Sequence, residues 1–415
     1  MIWIMEKVLA LVLAGGRVDE LLCLTEKRAK AALPVFGIYR IIDFVLSNLM
    51  HAGIENVGIL SQYRPHDLVR HIGTGEHWDF IGRTRGIRIL PPYRGLHSSD
   101  WYKGTADAVY QNISYIEEFK PDHILVASAD HIYRMDYRPF IDFHIEKKAD
   151  ATICFAKLKT KSSRFGYGVM EKGRLVKYFE KPSSPVSDYV SMTLYIFRRE
   201  FLMDVLSSNA RRRSHEFGRD IIPAIIPHNK IYGYVFKGYW AYARTIDSYY
   251  ETNMELLKGK IDLNAWQVRT NLLERSTYKD RLPAYINGVV MNSVVSDECI
   301  IEGTVKNSIL SPGVVVARNA EVVDSIIFHD TKIRSHTKLK KVICDKDSII
   351  EEKVTIGYEG KGIPSRKFKE LMHSGITVLG RNIFIPEGAR IGANTVIYPG
   401  AEIRGSRIKA GSVIQ

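Results

Sequence analysis

Two patterns in the sequence predict an α/β domain with a mostly parallel sheet, followed by a parallel β-helix. In the first part of the chain, apolar strand runs alternate with helical patterns, which is typical of a parallel sheet with helices on both faces. From about Tyr285 a hexapeptide period takes over. A chain of 415 residues exceeds what one core usually spans. We therefore expect domains at residues 1–257 and 285–415, joined by a linker at residues 258–284.

The first domain opens with the apolar run Val8–Leu13, which leads into Gly15 and Gly16. Glycines after a strand let backbone N–H groups approach a phosphate, because no Cβ atom is in the way. A plain tight turn explains the same junction equally well. The other predicted strands are Val57–Leu60, Ile124–Ala127 and Ala151–Phe155, and the predicted helices are Ile41–His51, Thr105–Phe119, Tyr137–Lys147 and Ile246–Leu257.

In the second domain one aliphatic residue recurs at every sixth position, as expected where each short strand of a coil buries one side chain. The repeat is interrupted at Tyr358–Ser374, a segment rich in glycine and lysine. This segment is either an exposed insertion or a basic lip that helps to bind an anionic effector. The recurring positions are Ile327, Ile333, Leu339, Ile385, Ile391, Ile397 and Ile403, and the basic side chains of the insertion are Lys361, Arg366, Lys367 and Lys369.

The net charge of +13 is spread along the chain. Its one tight run, Arg211–Arg213, is better explained by a solvated loop than by a phosphate clamp. Because the charge is spread out, we expect small phosphate-bearing ligands rather than nucleic acid. No run approaches the roughly 18 apolar residues of a membrane span. Glu6 and Lys7 interrupt the apolar N-terminus, which favours a first strand over a signal peptide. We therefore expect a cytoplasmic protein whose four widely spaced cysteines stay reduced.

Three short segments carry residue types that suit phosphate and sugar chemistry. Gly104 precedes the helical pattern that starts at Thr105, where free N–H groups suit a phosphate, although an N-cap by Thr105 explains the pair as well. Asp130 follows a strand, where a carboxylate either binds Mg²⁺ or caps a turn. Glu180 and Lys181 suit the hydroxyls and the phosphate of a sugar phosphate, or form a surface ion pair.

Together these segments resemble the bacterial and plant ADP-glucose pyrophosphorylases, which are glucose-1-phosphate adenylyltransferases. The resemblance covers nearly the whole chain and implies a Rossmann-like nucleotidyltransferase domain followed by a left-handed β-helix. It rests on matches that occur in the same order in the sequence: Leu13–Arg17, Lys27–Lys30, Tyr39–Phe44, Ser61–Tyr63, Trp101–Asn112, Asp130–Tyr137, Phe179–Pro182, Phe217–Pro223 and Gly238–Trp240.

The resemblance implies that glucose-1-phosphate attacks the α-phosphorus of ATP, which gives ADP-glucose for glycogen or starch synthesis and releases pyrophosphate. Such a displacement depends on positioning, on neutralised triphosphate charge and on a bridging metal, here Mg²⁺. Asp130 would be the catalytic carboxylate that holds this metal. The resemblance also places Gly15, Gly16, Gln62, Gly104, Thr105 and Asp107 near the nucleotide, and Tyr102, Glu180, Lys181 and Ser191 around glucose-1-phosphate.

The chain departs from the family pattern around the triphosphate and the metal. Where the family continues Arg-Gly-Thr-Arg-Leu, this chain has Val18 in place of the glycine and Glu20 in place of the arginine expected to meet pyrophosphate. Where the family reads Gly-Tyr-Trp-Arg-Asp-Val-Gly-Thr, Tyr242 replaces the second metal-binding aspartate, and a phenol is a poor Mg²⁺ ligand. Three further replacements are Ile38 for an effector-associated lysine, and Ala129 and Thr193 for glycines.

These departures predict a non-catalytic, regulatory subunit that assembles with a catalytic paralogue into a heterotetramer and tunes its response to anionic phosphate effectors. The alternative is an adenylyltransferase that is active in its own right, with Asp107 or Asp247 supporting the metal. A stand-alone sensor of nucleotides or sugar phosphates is a third interpretation. None of the three needs nucleic acid or a membrane as a partner.

Overall fold

The computed structural model describes residues 6–16, 18–93, 101–158, 162–272 and 282–415. The chain forms two compact units whose segments alternate along the sequence. The first unit comprises Met1–Gly16, Ile42–Pro65 and Ile72–Trp240, and the second comprises Arg17–Ile41, His66–His71 and Ala241–Gln415. The boundaries predicted from the sequence stay a prediction. Residues 273–281 of the predicted linker, and Arg17 of the glycine loop, lie outside the described residues.

Strands and helices alternate up to residue 257, as the sequence pattern predicts. The strands of this part are β1 Val8–Leu13, β2 Pro34–Val35, β3 Tyr39–Arg40, β4 Asn56–Leu60, β5 Gly86–Leu90, β6 His123–Ser128, β7 Ile132–Tyr133, β8 Ala151–Lys157, β9 Gly166–Glu171, β10 Arg174–Glu180, β11 Tyr189–Arg198, β12 Ile231–Phe236 and β13 Trp240–Ala241. The α-helices of the described residues are α1 Ile41–His51, α2 His66–Ile72, α3 Thr105–Tyr110, α4 Ile113–Phe119, α5 Arg138–Glu146, α6 Arg199–Asn209, α7 Ile222–Ile225, α8 Ile246–Leu257 and α9 Leu263–Trp266. Shorter helical turns cover Asp19–Thr25, Lys30–Ala32, Glu76–Trp78 and Phe217–Ile221.

The first unit is organised around one sheet, in which the described strands follow the order β5-β4-β1-β6-β11-β8-β12-β10-β9. The half from β5 to β6 is entirely parallel, which confirms the Rossmann-like prediction. The other half is mixed, because β11 runs antiparallel to both β6 and β8. Since β1 and β6 are adjacent and parallel, their carboxyl ends bring the segments of Gly15 and Asp130 to the same edge of the sheet.

The helix that the sequence predicts over Thr105–Phe119 is divided into α3 and α4. The break lies at Gln111 and Asn112, where the Asn112 side chain donates hydrogen bonds to the Ala108 carbonyl at 2.8 Å and to the Tyr102 hydroxyl at 2.9 Å. An asparagine that bonds to nearby groups competes with the helical ladder, so the helix ends and restarts there. Both pieces pack against the buried core of the sheet through residues such as Val109 and Ile116.

The second unit contains a parallel coil of short strands, which confirms the predicted β-helix. Every strand pair in the coil is parallel, and up to β31 every third strand joins the same sheet. In chain order these strands are β14 Tyr285–Ile286, β15 Val289–Met291, β16 Val294–Val295, β17 Ile300–Ile301, β18 Thr304–Lys306, β19 Ile309–Leu310, β20 Val315–Val316, β21 Glu321–Val323, β22 Ile326–Ile327, β23 Lys332–Ile333, β24 Lys338–Lys340, β25 Val342–Cys344, β26 Ile349–Ile350, β27 Thr355–Ile356, β28 Thr377–Leu379, β29 Phe384–Ile385, β30 Arg390–Ile391, β31 Val396–Ile397, β32 Arg407–Ile408 and β33 Val413–Ile414.

The recurring aliphatic residues form stacks along the inside of the coil. Ile333, Ile350 and Ile385, for example, pair in register on successive strands of one sheet and are fully buried. The hexapeptide prediction is wrong at Ile403, which lies in no strand and is only partly buried. Gly400 and Gly405 on either side of it adopt positive φ angles of 85° and 86°, so the chain turns there instead of continuing the ladder.

The insertion at Tyr358–Ser374 is packed onto the coil rather than detached from it. Its Ser365 and Met372 are buried and paired, with the Ser365 N–H donating to the Met372 carbonyl at 2.7 Å. The Asn394 side chain holds the segment by donating to the Ile363 carbonyl at 2.8 Å. The four basic side chains that the sequence singles out remain at least partly exposed, and their role toward an effector stays a prediction.

Two expectations about the chain as a whole can be compared with the described residues. Within these residues, no helix is long and apolar enough to cross a membrane. All four cysteines are buried free thiols, as their spacing predicts.

Candidate active site

The glycine loop follows β1 and packs against the segment after β4. The Ala14 N–H donates to the Leu60 carbonyl at 2.9 Å, which fixes the direction in which the chain leaves the sheet. A Cβ atom on Gly15 would lie 3.1 Å from the Gln62 nitrogen, whereas a Cβ atom on Gly16 would meet nothing within 4 Å. A Cβ atom on Gly15 would therefore be in tight contact with the backbone of Gln62, whereas the space beside Gly16 is open.

Gln62 and Tyr102, both predicted site residues, are in direct contact. The Tyr102 N–H donates to the Gln62 Oε1 atom at 2.5 Å, and the Gln62 Nε2 atom lies 3.5 Å from the Tyr102 carbonyl oxygen. The Tyr102 hydroxyl donates to the Leu90 carbonyl at 2.9 Å. Burial raises the pKa of Tyr102 to about 12, so its phenol is neutral at pH 7. The Gln62 amide thus orders the backbone of the Tyr102 segment.

The start of α3 is held by Glu216, a residue that the sequence analysis missed. The Glu216 carboxylate accepts hydrogen bonds from the Thr105 hydroxyl at 2.6 Å and from the Thr105 N–H at 3.2 Å. A Cβ atom on Gly104 would lie 2.3 Å from the His215 carbonyl oxygen, so only glycine fits. Gly104, not Thr105, is the N-cap residue. The first N–H of α3 already has a hydrogen-bond partner within the protein. The structure therefore adds no support for a phosphate bound at the start of this helix.

Asp107 has a structural role at the start of α3. Its carboxylate accepts hydrogen bonds from the Lys103 N–H at 2.8 Å and from the Gln111 side chain at 2.7 Å. The side chain lies on α3 and is almost fully buried. These bonds fold the residues before α3 back onto the helix, and the roles of Gly104, Thr105 and Asp107 toward a nucleotide stay predictions.

Asp130 lies just beyond the carboxyl end of β6 and is partly exposed. The segment that follows it is tied to α1, because the Asn48 side chain donates to the Tyr133 carbonyl at 3.3 Å and accepts from the Met135 N–H at 3.2 Å. The described residues include no group of three His, Cys, Asp or Glu side chains that could hold a metal ion. The role of Asp130 toward Mg²⁺ stays a prediction.

The predicted sugar-phosphate residues Glu180 and Ser191 meet around two buried tyrosines. The Tyr178 hydroxyl donates to the Glu180 carboxylate at 3.1 Å, and the Ser191 side chain is hydrogen bonded to Tyr178 and Tyr195. Cβ atoms on Gly166 and Gly218 would lie 2.9 Å and 2.3 Å from a Glu180 carboxylate oxygen, so these glycines make room for it. Lys181 follows at a half-exposed position, with its ammonium 3.7 Å from the Glu180 carboxylate.

Thr193, which stands in place of a family glycine, keeps the backbone conformation of a glycine. Its φ angle is +49°, in the left-handed region that a β-branched residue rarely adopts. The residue lies at an irregularity of the β11–β8 pairing between Ser191 and Tyr195. Ala129, the other replacement of a glycine, is buried and needs no positive φ. The cost of the first replacement is therefore backbone strain, and the second is tolerated.

The two departures that define the altered triphosphate and metal positions are linked by a third residue, Arg244. In the second unit the Arg244 Nε atom donates to the Glu20 carboxylate at 2.9 Å, and its Nη1 atom donates to the Tyr242 hydroxyl at 2.7 Å. The Lys30 ammonium lies 4.3 Å from the centroid of the Tyr242 ring, a cation–π distance. We call these four residues the Glu20 cluster.

Electrostatics inside the Glu20 cluster are favourable. Burial disfavours the charged form of Arg244, but Tyr242 and the Glu20 carboxylate outweigh this effect and raise the pKa of its guanidinium. The sequence carries a signal for this cluster, because Arg244 occupies a position where the family has glycine, and Ala241 occupies the position of the family arginine. The gain of an arginine at position 244 and of a glutamate at position 20 is a pair of opposite charges that the sequence alone displays.

Comparisons with known proteins agree with this architecture. Residues 9–259 match the family model for nucleotidyl transferases, and residues 283–379 match the model for the GlmU-like, C-terminal hexapeptide. The glucose-1-phosphate adenylyltransferase of Fervidobacterium nodosum is 42% identical over 399 residues, which cover 95% of each chain. The enzyme of the same name from Acetivibrio thermocellus is 39% identical over 404 residues, covering 95% of this chain and 93% of the relative. The chain therefore belongs to the glucose-1-phosphate adenylyltransferase, or ADP-glucose pyrophosphorylase, family.

Proposed function

We propose that this protein is a subunit of an ADP-glucose pyrophosphorylase and that it serves ADP-glucose synthesis as a regulatory rather than a catalytic chain. The holoenzyme would be a cytoplasmic heterotetramer in which a paralogue joins ATP and glucose-1-phosphate for glycogen or starch synthesis. The names of the relatives and their identity over nearly the full chain support the pathway assignment. The Glu20 cluster supports the regulatory assignment.

The observation that carries the proposal is the engagement of Arg244 by both substituted positions. Glu20 presents a carboxylate where the family has an arginine for pyrophosphate, and that carboxylate is bound to a guanidinium of the same chain. Tyr242, which replaces a metal carboxylate, also engages Arg244 through its hydroxyl. The polar groups of Glu20, Tyr242 and Arg244 therefore have hydrogen-bond partners without a bound ligand. Substitutions of this kind are expected in a chain that no longer needs catalytic activity.

Phosphoryl and nucleotidyl transfer give the protein little covalent work, so lost charges at the phosphates translate directly into lost rate. Removing one transition-state electrostatic contact commonly costs about 2.7–4 kcal/mol, or a factor of roughly 100 to 1,000. This chain has lost an arginine and a metal carboxylate relative to the family pattern. Binding of glucose-1-phosphate near Glu180 and Ser191 would survive, because those residues are present and held by Tyr178 and Tyr195.

An active enzyme is the second candidate, and one observation favours it. Arg244 is paired with Glu20 and Lys30 lies over the Tyr242 ring, so the net charge of the Glu20 cluster stays positive and could still attract pyrophosphate. Asp107 and Asp247, which this candidate needs as additional metal ligands, give it less support. Asp107 holds the Lys103 segment, and the Asp247 carboxylate accepts a hydrogen bond from the Ser374 hydroxyl.

Turnover of the purified chain with ATP, Mg²⁺ and glucose-1-phosphate tests the proposal. We expect negligible ADP-glucose formation, and a gain of at least about 100-fold in the triple variant Glu20→Arg, Tyr242→Asp and Arg244→Gly. Arg244 must change with the others, since the guanidinium introduced by Glu20→Arg would otherwise lie beside that of Arg244. Glu200→Arg, which repeats the charge change of Glu20→Arg at an exposed position of α6, is the control and should give no gain.

Robust turnover of the unaltered chain, with no gain in the triple variant, would instead establish the active enzyme. The assembly part is tested separately by co-expressing this chain with a catalytic paralogue and measuring the mass of the purified complex. A complex containing both chains supports the regulatory subunit. Recovery of this chain alone as a ligand-binding protein would favour the stand-alone sensor.

A further inference from the structure

Tyr178 lies beside Glu180 on β10 and is not among the site residues that the sequence predicts. The two residues are two positions apart, and such side chains point to the same face of a sheet. The register of the antiparallel β9 places Gly166 directly opposite Glu180, and Gly168 directly opposite Tyr178. Because directly opposite side chains normally touch, the two glycines of β9 leave space beside both side chains of β10.

One oxygen of the Glu180 carboxylate, Oε2, is packed into this space. The Tyr178 hydroxyl donates to Oε2 at 3.1 Å. Cβ atoms on Gly166 and Gly218 would lie 2.9 Å and 2.3 Å from the same oxygen, so the backbone at both glycines packs against it. A Cβ atom on Gly166 would also lie 2.0 Å from the Tyr178 hydroxyl. The hydroxyl and Oε2 therefore share one tightly packed position.

The other carboxylate oxygen, Oε1, has a different environment. The Lys181 ammonium lies 3.7 Å from Oε1, which is longer than a hydrogen bond. The Glu180 side chain is 23% exposed. Lys181 itself adopts a φ angle of +47°, and backbone strain of this kind is concentrated at functional sites. Because Oε2 is packed against the protein, Oε1 is the oxygen that is available to a ligand.

The Tyr178 hydroxyl is suited to hold the carboxylate. Burial raises the pKa of its phenol, and Tyr195 and Glu180 act in the same direction. The hydroxyl therefore keeps its proton at pH 7 and remains a donor. Ser191 is hydrogen bonded to the same hydroxyl, so Tyr178 connects two predicted sugar-phosphate residues, Ser191 and Glu180.

We propose that Tyr178 is a positioning residue that sets the selectivity of the sugar site. By binding Oε2 it leaves Glu180 with one acceptor oxygen, Oε1, which accepts a hydrogen bond from one hydroxyl of glucose-1-phosphate. The site discriminates against a sugar phosphate that lacks this hydroxyl, because Oε1 then stays unpaired in a partly buried position. The inference rests on the part of the proposed function that assigns glucose-1-phosphate to Glu180 and Ser191, and it applies to a regulatory and to a catalytic chain alike.

Calorimetric titration of the purified full chain tests the selectivity. The ligands are glucose-1-phosphate and its monodeoxy analogues, each of which lacks one hydroxyl. We expect one analogue to bind at least about tenfold more weakly than glucose-1-phosphate. In Tyr178→Phe the Glu180 carboxylate can rotate, so the Kd for glucose-1-phosphate should rise about fivefold while the Kd for that analogue stays nearly constant. The discrimination between the two ligands falls by the same factor.

Tyr115→Phe is the matched control. Tyr115 is 6% exposed in the same core, and its hydroxyl has no hydrogen-bond partner among the described residues. We expect this control to change each Kd by less than about twofold. Unchanged Kd values in Tyr178→Phe, or an equal rise for every ligand, would overturn the inference alone. No binding of glucose-1-phosphate to the unaltered chain would overturn the sugar-binding part of the proposed function as well.

Gly218→Ala disturbs the same oxygen and leaves Tyr178 unchanged. The added Cβ atom would lie 2.3 Å from Oε2, so the carboxylate must shift, and we expect the discrimination to fall by at least about threefold. Gly86→Ala adds the same atom where the nearest neighbour is 4.0 Å away, and it should leave the discrimination unchanged. Full discrimination in Gly218→Ala would contradict the role assigned to Oε2.

Discussion

Two polar clusters on the residue 18–41 segment of the second unit have opposite relations to the family pattern. The first, which we call the Arg28 cluster, consists of Arg28, Asp67, Asp345 and Arg381 and includes a residue of the matching motif Lys27–Lys30. The second is the Glu20 cluster, in which Glu20, Tyr242 and Arg244 depart from the family, whereas the buried Lys30 belongs to the same matching motif as Arg28. Arg28 and Asp345 are each 2% exposed at the side chain, whereas Glu20 and Arg244 are 30% and 27% exposed.

This difference in burial explains the difference in substitution. A buried charge that loses its partner has no water to replace it, so members of the Arg28 cluster cannot change one at a time. Glu20 and Arg244 retain contact with solvent, so intermediate combinations of charges at these two positions cost little. The comparison teaches that a charged residue is replaced at lower cost where its partner keeps contact with solvent.

The comparison is tested most severely at Arg28. Replacing it by alanine leaves Asp345 as an unpaired buried carboxylate, and we expect the free energy of unfolding to fall by about 3–5 kcal/mol. Chemical denaturation monitored by tryptophan fluorescence measures the change. Arg404→Ala, at a side chain that is 88% exposed and paired with Glu402, should cost less than about 1 kcal/mol. A comparable loss in both variants would contradict the role assigned to burial.

The Glu20 cluster should respond more weakly. Arg244→Ala removes two hydrogen bonds to partly exposed partners, and we expect a loss of about 1–2 kcal/mol in the same denaturation experiment. In a double-mutant cycle with Glu20→Gln, the two changes should couple by up to about 1 kcal/mol, because each removes the same ion pair. Strict additivity of the two single changes would show that the pair contributes no interaction energy.

Thr193 is a further departure from the family pattern, and its cost is backbone strain rather than a change of charge. Its left-handed φ angle of +49° is strained for a β-branched residue, so Thr193→Gly should raise the free energy of unfolding by about 1 kcal/mol. Thr193→Ala keeps a Cβ atom without the branch and should give a smaller gain. The reverse order of stability, with glycine lowest, would mean that packing of the threonine side chain outweighs the strain.

The smallest effect is expected for the contribution of the Arg28 cluster to stability at acidic pH. Burial favours neutral Asp67, but Arg28 and Arg381 outweigh burial and hold the pKa of its carboxyl below its usual value. A group with a lowered folded pKa contributes stability above its unfolded pKa, near 3.9, and this contribution disappears as pH falls through the folded pKa. Asp67→Asn should therefore flatten the stability profile below about pH 4 and leave its shape near neutrality unchanged. An unaltered acid limb in urea titrations at several pH values would contradict this.

The sequence predicts most of the fold because the signals are periodic and local. The strand runs of the sheet and the six-residue spacing of the coil translate directly into β1, β4, β6 and β8 and into the isoleucine stacks. The sequence fails where a single side chain overrides the pattern. Asn112 divides a predicted helix, and the turn that contains the two glycines around Ile403 interrupts the ladder before β32 and β33 resume it.

The candidate site is predictable only in part, because the type of a residue does not reveal which other residues its side chain contacts. Gln62, Tyr102, Glu180 and Ser191 were recognised from the family pattern, and the structure adds which of them touch. Glu216 and Arg244 could not be found from the motif matches alone, since the first lies outside the matching segments and the second replaces a glycine. Long-range contacts of this kind depend on tertiary packing, which a local pattern does not encode.

The ion pair between Arg28 and Asp345 also has a consequence for synthesis of the chain. The two residues are 317 positions apart, so at about 5–20 residues per second a nascent Arg28 waits roughly 15–60 s before Asp345 exists. During that interval the surrounding segment, which contains the buried Leu21 and Leu24, has no completed coil to pack against. A chain truncated before residue 345 therefore never completes this ion pair, and Arg28 keeps no partner from the coil at that position.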